Sequence, residues 1–243
     1  MCEVVDQLAA IFLLFQRFSE MRRCLFISFL LLGLSTAAQE SPSLNENDPR
    51  FVGGIFAGGN FTHIINDAFD GIHRVGPNAG GIVYAQIKGQ FWSSLAIRFS
   101  RKGTIGVRVD SSAAYQSIYF SQYRLRLDYV EAPLLIHAFN KRFYHFSTGF
   151  TYSRLLSSNE LVSSLQLYRV NNDQFPFRKN NWDFLIGGGL NVNRNLFLYI
   201  HFQASIVPVR DSMYVPVEVG RDNQYNRMIS LQLAYLFRNS KEY

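Results

Sequence analysis

Apolar and polar side chains alternate one for one along much of the chain. The clearest stretch is residues 229–237, where one face carries Ile229, Leu231, Leu233, Tyr235 and Phe237 and the other carries Ser230, Gln232 and Ala234. A period of two residues predicts a β-strand with one apolar face. The same pattern predicts seven further strands, over residues 51–62, 79–88, 94–100, 123–129, 144–152, 182–190 and 198–206.

The connections between these eight segments alternate in length. Those near residues 89–90, 140–141 and 193–195 are short, whereas those near 63–78, 102–121, 154–180 and 208–225 are long. This regular alternation is typical of an up-and-down outer-membrane barrel with short periplasmic turns and long extracellular loops. Residues 115–120, 163–170 and 213–219 also alternate, so a ten-stranded barrel is the competing topology.

The two faces of the strands indicate which solvent each one meets. A soluble lipocalin-like barrel would bury its apolar face inside, the opposite of a membrane barrel. Here the second face carries Arg, Asp, His, Gln, Ser and Gly, which suits a packed polar lumen. The apolar face carries aromatic residues suited to interfacial girdles: Tyr123, Tyr129, Tyr144, Tyr152, Trp182, Tyr235 and Phe237. The sequence therefore predicts an all-β, eight-stranded antiparallel up-and-down transmembrane β-barrel.

The N-terminal residues carry an export signal. Basic Arg22 and Arg23 follow Met21, residues 25–34 are apolar, and small residues precede a cleavage point after Ala38. The apolar run is shorter than the roughly 20 residues of a membrane-spanning helix, which argues against the alternative of an anchor. We divide the chain into a start extension that we interpret as mis-assigned (1–20), a signal peptide (21–38), a periplasmic linker (39–50), the barrel (51–238) and a C-terminal tail (239–243).

Composition and charge limit the partners. The 243 residues are 48% hydrophobic and 17% charged, with a formal net charge of +6. The basic residues are scattered along the chain, so we expect no nucleic-acid partner. The expected partners are outer-membrane lipid and a protein bound at the extracellular loops or the periplasmic face, and the barrel is expected to be monomeric.

The polar face supplies the candidate site residues. We predict a lumen network of ion pairs among Arg98, Arg124, Arg126, Asp128, Glu131 and Asp183, with His145 and His201 also facing the lumen. Buried charges need partners, so we interpret this network as structural. The other histidines, His63, His73 and His137, fall in predicted loops or turns.

The lumen residues do not form a recognisable catalytic arrangement. The sequence contains no Gly-x-Ser-x-Gly, His-Glu-x-x-His or Walker-type pattern, and we predict no catalytic residues, cofactor or metal. An eight-stranded barrel is only wide enough for its own side chains, which excludes a wide pore. The predicted function is a non-enzymatic structural, adhesion or assembly role, with an outer-membrane enzyme or a small-ligand-binding barrel as alternatives.

The long loops carry apolar clusters of their own. Tyr115, Tyr119 and Phe120 belong to the second loop, and Tyr214, Val215, Val217 and Val219 belong to the fourth. Such clusters either bind a partner or pack on each other, and we favour packing.

One segment resembles a known family. Residues 125–136, Leu-Arg-Leu-Asp-Tyr-Val-Glu-Ala-Pro-Leu-Leu-Ile, resemble the Tyr-x-Glu-x-Pro-Leu-Leu signature of the PorT-like outer-membrane β-barrel family. The resemblance covers roughly residues 51–238 and departs at Ala132, where a larger aliphatic residue is more usual. It implies an outer-membrane barrel. Since PorT itself is implicated in type IX secretion and gliding, an accessory role in such machinery is a further alternative.

The same segment conflicts with simple alternation. If Tyr129 faces lipid, Glu131 should face lipid too, at a cost of some kcal/mol near mid-bilayer. Pro133 cannot donate a ladder hydrogen bond. We therefore hypothesise a β-bulge at Glu131 and Pro133 that turns Glu131 inward near the periplasmic rim.

Overall fold

A computed structural model describes residues 44, 49–67, 70–112, 117–140, 144–163, 167–170, 174–216, 219–220 and 222–238. The predicted start extension, signal peptide and C-terminal tail lie outside these residues. Within them, no helix is long and apolar enough to span a membrane.

Nine strands and one short 3-10 helix make up the described chain. The strands are β1 Phe51–Ile65, β2 Asp70–Lys88, β3 Phe91–Ser112, β4 Ser117–Phe139, β5 Tyr144–Ser163, β6 Leu167–Arg169, β7 Asn180–Asn191, β8 Leu196–Ser205 and β9 Tyr225–Leu236; the helix is Ser212–Tyr214.

Eight of these strands close into a ring by antiparallel pairing of sequence neighbours. The order is β4-β3-β2-β1-β9-β8-β7-β5, and a β4–β5 pairing completes the circle. The three-residue β6 pairs only with β5 and lies outside the ring. The predicted eight-stranded up-and-down barrel is therefore confirmed, and the ten-stranded alternative is wrong.

The longest connections all lie at one end of the barrel, as the sequence predicts, but the first two connections at that end are shorter than expected. β1 and β2 are joined by residues 66–69, and β3 and β4 by residues 113–116. The residues predicted as long loops at 63–78 and 102–121 are mostly strand, because β3 and β4 run for 22 and 23 residues. A tilted transmembrane strand needs only about 9–11 residues, so this hairpin projects beyond the membrane. The long connections are residues 170–179 after β6 and 206–224 after β8.

Most strands expose an apolar face to the outside of the ring. Ile200, Leu233 and Leu134 are 55%, 48% and 59% exposed, whereas their strand neighbours Tyr199, Ala234 and Leu135 are buried. A soluble monomer rarely exposes so large a contiguous apolar surface. The outward apolar band therefore suits contact with lipid acyl chains, which is the orientation that the sequence predicts.

In the first half of β4 the apolar residues face the inside of the barrel instead of the outside. Tyr123, Leu125, Leu127 and Tyr129 are fully buried inside the barrel, where they form a cluster with Val162, Val170, Phe177, Val215 and Val219. The connections after β6 and β8 pack into the long-loop end of the barrel and make this part of the lumen apolar. The prediction that Tyr123 and Tyr129 belong to a lipid-facing girdle is wrong for this reason.

The hypothesis of a bulge at Glu131 and Pro133 is also wrong. Glu131 does face inward, but so does Tyr129, and alternation continues unbroken through β4. The register shift between β4 and β5 falls where Asp128 pairs with Ser157 and Tyr129 pairs with Leu155, which leaves Leu156 of β5 as the extra residue. Pro133 interrupts the ladder without shifting it, because the β3–β4 register is the same on both sides.

The fourth long connection differs from its predicted strand. The 3-10 helix Ser212–Tyr214 takes up the first two residues of the predicted alternating segment 213–219, and Val215 and Val219 pack into the apolar cluster. Val215 and Val219 therefore pack within the protein, as the sequence favours, whereas Tyr214 of the same predicted cluster is 39% exposed.

Candidate functional site: the filled lumen

The side chains of β3 show how the lumen changes with depth. From the short-turn end toward the long-loop end, the inward residues are Trp92, Ser94, Ala96, Arg98, Ser100, Lys102 and Thr104, and all are buried. The series begins aromatic, becomes charged and ends polar. We distinguish three layers along the barrel axis. The aromatic layer surrounds His137, His145 and His201, and the charged layer consists of Arg98, Lys102, Glu131 and Asp183. The loop plug consists of Phe177, Arg210, Val215 and Val219 from the connections after β6 and β8.

The charged layer consists of Arg98, Lys102, Glu131 and Asp183 from β3, β4 and β7, none more than 2% exposed. Arg98 lies directly opposite Glu131 in the β3–β4 register, with Nε 2.7 Å from Oε2. The ammonium of Lys102 bridges both acids, at 2.6 Å from Oε1 of Glu131 and 2.9 Å from Oδ2 of Asp183. Two cations balance two anions, so the layer is electrically neutral.

Neutral side chains satisfy the remaining oxygens of the two acids. Gln203 donates to Oδ2 of Asp183 at 2.6 Å, and Ser153 donates to the same oxygen at 3.0 Å. Asn181 and Ser205 donate to Oδ1 of Asp183 at 2.8 and 2.9 Å. Buried ion pairs persist only when such additional bonds complete them. The two carboxylates are therefore joined to both cations and to neutral donors in one hydrogen-bonded network.

The aromatic layer holds three histidines. His137, His145 and His201 are at most 5% exposed and lie among Tyr84, Phe139, Phe197 and Tyr199. Nε2 of His137 is 2.7 Å from Oγ of Ser94, and Nε2 of His201 is 3.2 Å from Oγ of Ser147. Among the described residues, no His, Cys, Asp and Glu cluster has the arrangement that a metal ion requires.

Glycines of β7 make room for this layer. A Cβ at Gly189 would collide with the ring of His145 and with Tyr199, and one at Gly187 would collide with His201 and the backbone of Ile200. Two glycines of the run, Gly187 and Gly189, are thus explained by packing against the lumen rings, whereas a Cβ at Gly188 would meet the backbone carbonyl of His145. Leu44 closes the same layer at the short-turn end, where it is 1% exposed.

The loop plug is fixed by one buried ion pair. Arg210, in the connection after β8, contacts Glu160 of β5 through both terminal nitrogens, and neither side chain is exposed. Its guanidinium carbon lies 3.5 Å from the ring centroid of Phe177, and Tyr123 donates to Glu160 at 2.7 Å. These contacts hold two connections against the strands.

A small cavity remains between the aromatic and charged layers. Its volume is about 20 Å³, and Arg98, His137, Tyr199, His201 and Gln232 are among its lining residues. That space suits a single water molecule, whereas ligand pockets are about 300–1,000 Å³. The cavity therefore cannot hold an organic ligand.

The structure separates the predicted lumen residues into two groups. Arg98, Glu131, Asp183, His145 and His201 lie in the lumen. Arg124, Arg126 and Asp128 do not, because the inward positions of this half of β4 are taken by the apolar residues that meet the loop plug. Asp128 instead pairs on the outer wall with Arg101 and Arg126, whose side chains are 31% and 41% exposed.

Sequence reasoning missed three contributors to the lumen. The sequence predicts a loop at Lys102 and a loop or turn at His137, yet both residues lie inside strands, as do His63 and His73. Lys102 shares the parity of Arg98 and Ser100, so extending the alternation past residue 100 would have found it. Gln203 of β8 donates to Asp183 in the charged layer, and the predicted network of ion pairs does not include it.

A closed ring of eight antiparallel strands, with an apolar exterior and an interior filled by side chains, defines a transmembrane β-barrel of the outer-membrane type. The family described as outer membrane protein beta-barrel domain matches residues 37–210, which is more than half of the chain. The chain belongs to this family and is an outer-membrane protein.

Several solved structures are similar to this chain at low sequence identity. Ail, the attachment invasion locus protein of Yersinia pestis, is 12% identical with a TM-score of 0.45, covering 78% of this chain and 100% of Ail. Neisserial surface protein A is 12% identical with a TM-score of 0.42, covering 79% of this chain and 100% of that one. The protease OmpT of Escherichia coli is 11% identical with a TM-score of 0.29, covering 80% and 99%. No curated protein matches the sequence significantly.

Proposed function

We propose that this protein is a non-conducting, non-enzymatic outer-membrane barrel that presents its long-loop end as a rigid recognition surface, in a structural, adhesion or assembly role. The observation that carries the proposal is the filled lumen. Aromatic layer, charged layer and loop plug follow one another along the axis, and the cavity beside the buried histidines is about 20 Å³. A space of this size has no room for an organic substrate.

The loop plug supports the recognition part of the proposal. Arg210 and Glu160 fix the connection between β8 and β9, so its exposed residues are held in one arrangement. Met213 and Tyr214 in this connection are 77% and 39% exposed, while Val215 beside them is buried. Rigid loops that carry exposed apolar side chains are a usual setting for protein recognition.

Planar-bilayer recording tests the non-conducting part. The purified barrel, inserted into a bilayer, should give no resolvable current steps in salt solution. Current steps of a regular size at both positive and negative voltage would contradict the proposal, because they would require a continuous water path through the charged layer.

Site-specific crosslinking in intact cells tests the recognition part. A photoreactive residue at Met213 should give discrete adducts, whereas the same residue at Lys88, exposed at the short-turn end, should not. Arg210→Ala should abolish the adducts by releasing the loop. Arg178→Ala, which removes a partly exposed pair with Asp211, should leave them. Adducts at Lys88 alone would place the partner on the periplasmic side and contradict the proposal.

An accessory role in type IX secretion or gliding is the finer alternative that the PorT-like segment suggests. That segment already has a structural role, since Glu131 belongs to the charged layer. Co-purification after crosslinking distinguishes the two: recovery of the barrel in a large periplasm-facing machine would favour the accessory role.

A further inference from the structure

The outer wall of the barrel changes abruptly from apolar to basic near the long-loop end. On β3 the outward residues Leu95, Ile97 and Phe99 end the apolar band. The next outward positions on β3 and β4 carry charge: Arg101 on β3, and Asp128, Arg126 and Arg124 on β4.

These residues form a compact cluster, which we call the arginine patch: Arg74, Arg101, Arg124 and Arg126 around Asp128. Arg101 pairs directly with Asp128 in the β3–β4 register, and the partners of Arg126 and Arg124 are the next two outward positions of β3, Gly103 and Ile105. Arg74 of β2 lies within electrostatic range of the other four and donates to the carbonyl of Leu125 at 3.1 Å.

The patch has more positive charge than its own carboxylate can neutralise. Within the described residues, its ion pairs all go to Asp128, with Nε of Arg101 at 2.7 Å and Nε of Arg126 at 3.6 Å. Ser157 also donates to this carboxylate at 3.3 Å. Four guanidinium groups around one carboxylate leave a net charge of +3, and clustered like charges repel unless an anion joins them.

The depth of the patch identifies the source of that anion. The band on β3 spans eight residue steps from Phe91 to Phe99, about 26 Å along the strand at about 3.3 Å per step and about 20 Å along the normal for a tilt of about 40°. Arg101 is the next outward position, at the level where lipid headgroups begin. In this type of barrel the long-loop end faces the cell exterior.

We propose that the arginine patch binds the phosphate groups of a phosphorylated lipid in the outer leaflet, whose acyl chains lie against Phe99 and Val130 directly below. The guanidinium fork matches a phosphate bidentately, and several forks on neighbouring strands can share one headgroup. The proposal goes beyond the recognition role of the loops and does not depend on it.

Lipid retention by the folded full-length barrel tests the proposal. Diphosphoryl lipid A, its dephosphorylated form and inorganic phosphate are each titrated into the protein in non-ionic detergent, and bound molecules are measured by native mass spectrometry. Heat-modifiable gel migration verifies the fold of every variant. The patch variant is Arg101→Gln with Arg126→Gln. The matched control is Arg154→Gln with Arg227→Gln, which removes two exposed outward arginines from β5 and β9.

The expected result is tight retention of diphosphoryl lipid A, weakened at least about tenfold in the patch variant and less than about twofold in the control. Asp128→Asn should bind at least as tightly as the unchanged protein, because it removes the competing carboxylate. If the double variant fails to fold, Arg124→Glu, at an exposed position, should produce the same weakening. Equal retention by patch and control variants, equal binding of dephosphorylated lipid A, or equally tight binding of inorganic phosphate alone would overturn the proposal.

Discussion

Replacing Lys102 by Met removes the ammonium that bridges the two acids of the charged layer. The substitution keeps a long, unbranched side chain, so packing changes little. The Nζ atom lies 2.6 Å from Glu131 and 2.9 Å from Asp183, and all three side chains are fully buried. Without Lys102, one guanidinium faces two carboxylates, and the layer changes from neutral to a net charge of −1.

Removing one partner of a buried ion pair costs about 3–5 kcal/mol of unfolding free energy. Glu131 keeps Arg98, and Asp183 keeps its neutral donors Ser153 and Gln203. We therefore expect about 3 kcal/mol for Lys102→Met, at the lower end of that range. Urea unfolding from lipid vesicles, followed by tryptophan fluorescence, measures it.

The control is the adjacent residue on the opposite face of β3. Arg101→Met also removes a cation 2.7 Å from a carboxylate, but Arg101 is 31% exposed, so the expected cost is about 0–1 kcal/mol. Combining Lys102→Met with Asp183→Asn restores neutrality and should cost less than the sum of the single changes. Equal costs for Lys102→Met and Arg101→Met, or simple additivity in the double variant, would refute the reasoning.

Two further predictions concern packing and lipid exposure. Gly189→Leu should lower unfolding free energy by about 1–3 kcal/mol because it overpacks the lumen against His145, whereas Gly59→Ala, where a Cβ meets nothing within 4 Å, should change little in the same urea assay. Leu233→Arg, in the middle of the outward face of β9, should cost about 2–4 kcal/mol in vesicles, against about 0–1 kcal/mol for Phe237→Arg one residue beyond the end of the strand. Equal costs would contradict a lipid-facing band.

Strand positions are readable from sequence because each strand separates two environments. The eight alternating segments correspond to the eight strands of the ring, including the two glycine-rich segments near the N-terminus of the barrel. Antiparallel pairing of successive strands also places their connections at opposite ends of the barrel in turn. These local rules do not depend on what fills the lumen.

The sense of a strand is harder to predict, since it depends on what lies opposite. Alternation in residues 123–129 correctly predicts a strand, but the apolar side meets the loop plug instead of lipid. Glu131 is the residue that could have identified the inward face of this segment. It shares the parity of Tyr129, and accepting both as inward residues removes the need for a bulge. Local periodicity could not reveal that Val215, Val219 and Phe177 return to cover Tyr123.

Depth explains how the membrane tolerates four buried charges in this barrel. Arg98 and Lys102 flank Phe99 and Arg101, the positions where the outer wall changes from apolar to basic. The charged layer therefore lies at the long-loop edge of the band, and not near the periplasmic rim where the sequence places Glu131. Mid-bilayer depth is filled by aromatic and histidine side chains, which carry no obligatory charge. Inner and outer walls thus become charged at the same level, so one stretch of β3 can supply the ion network of the lumen and a headgroup-level patch outside.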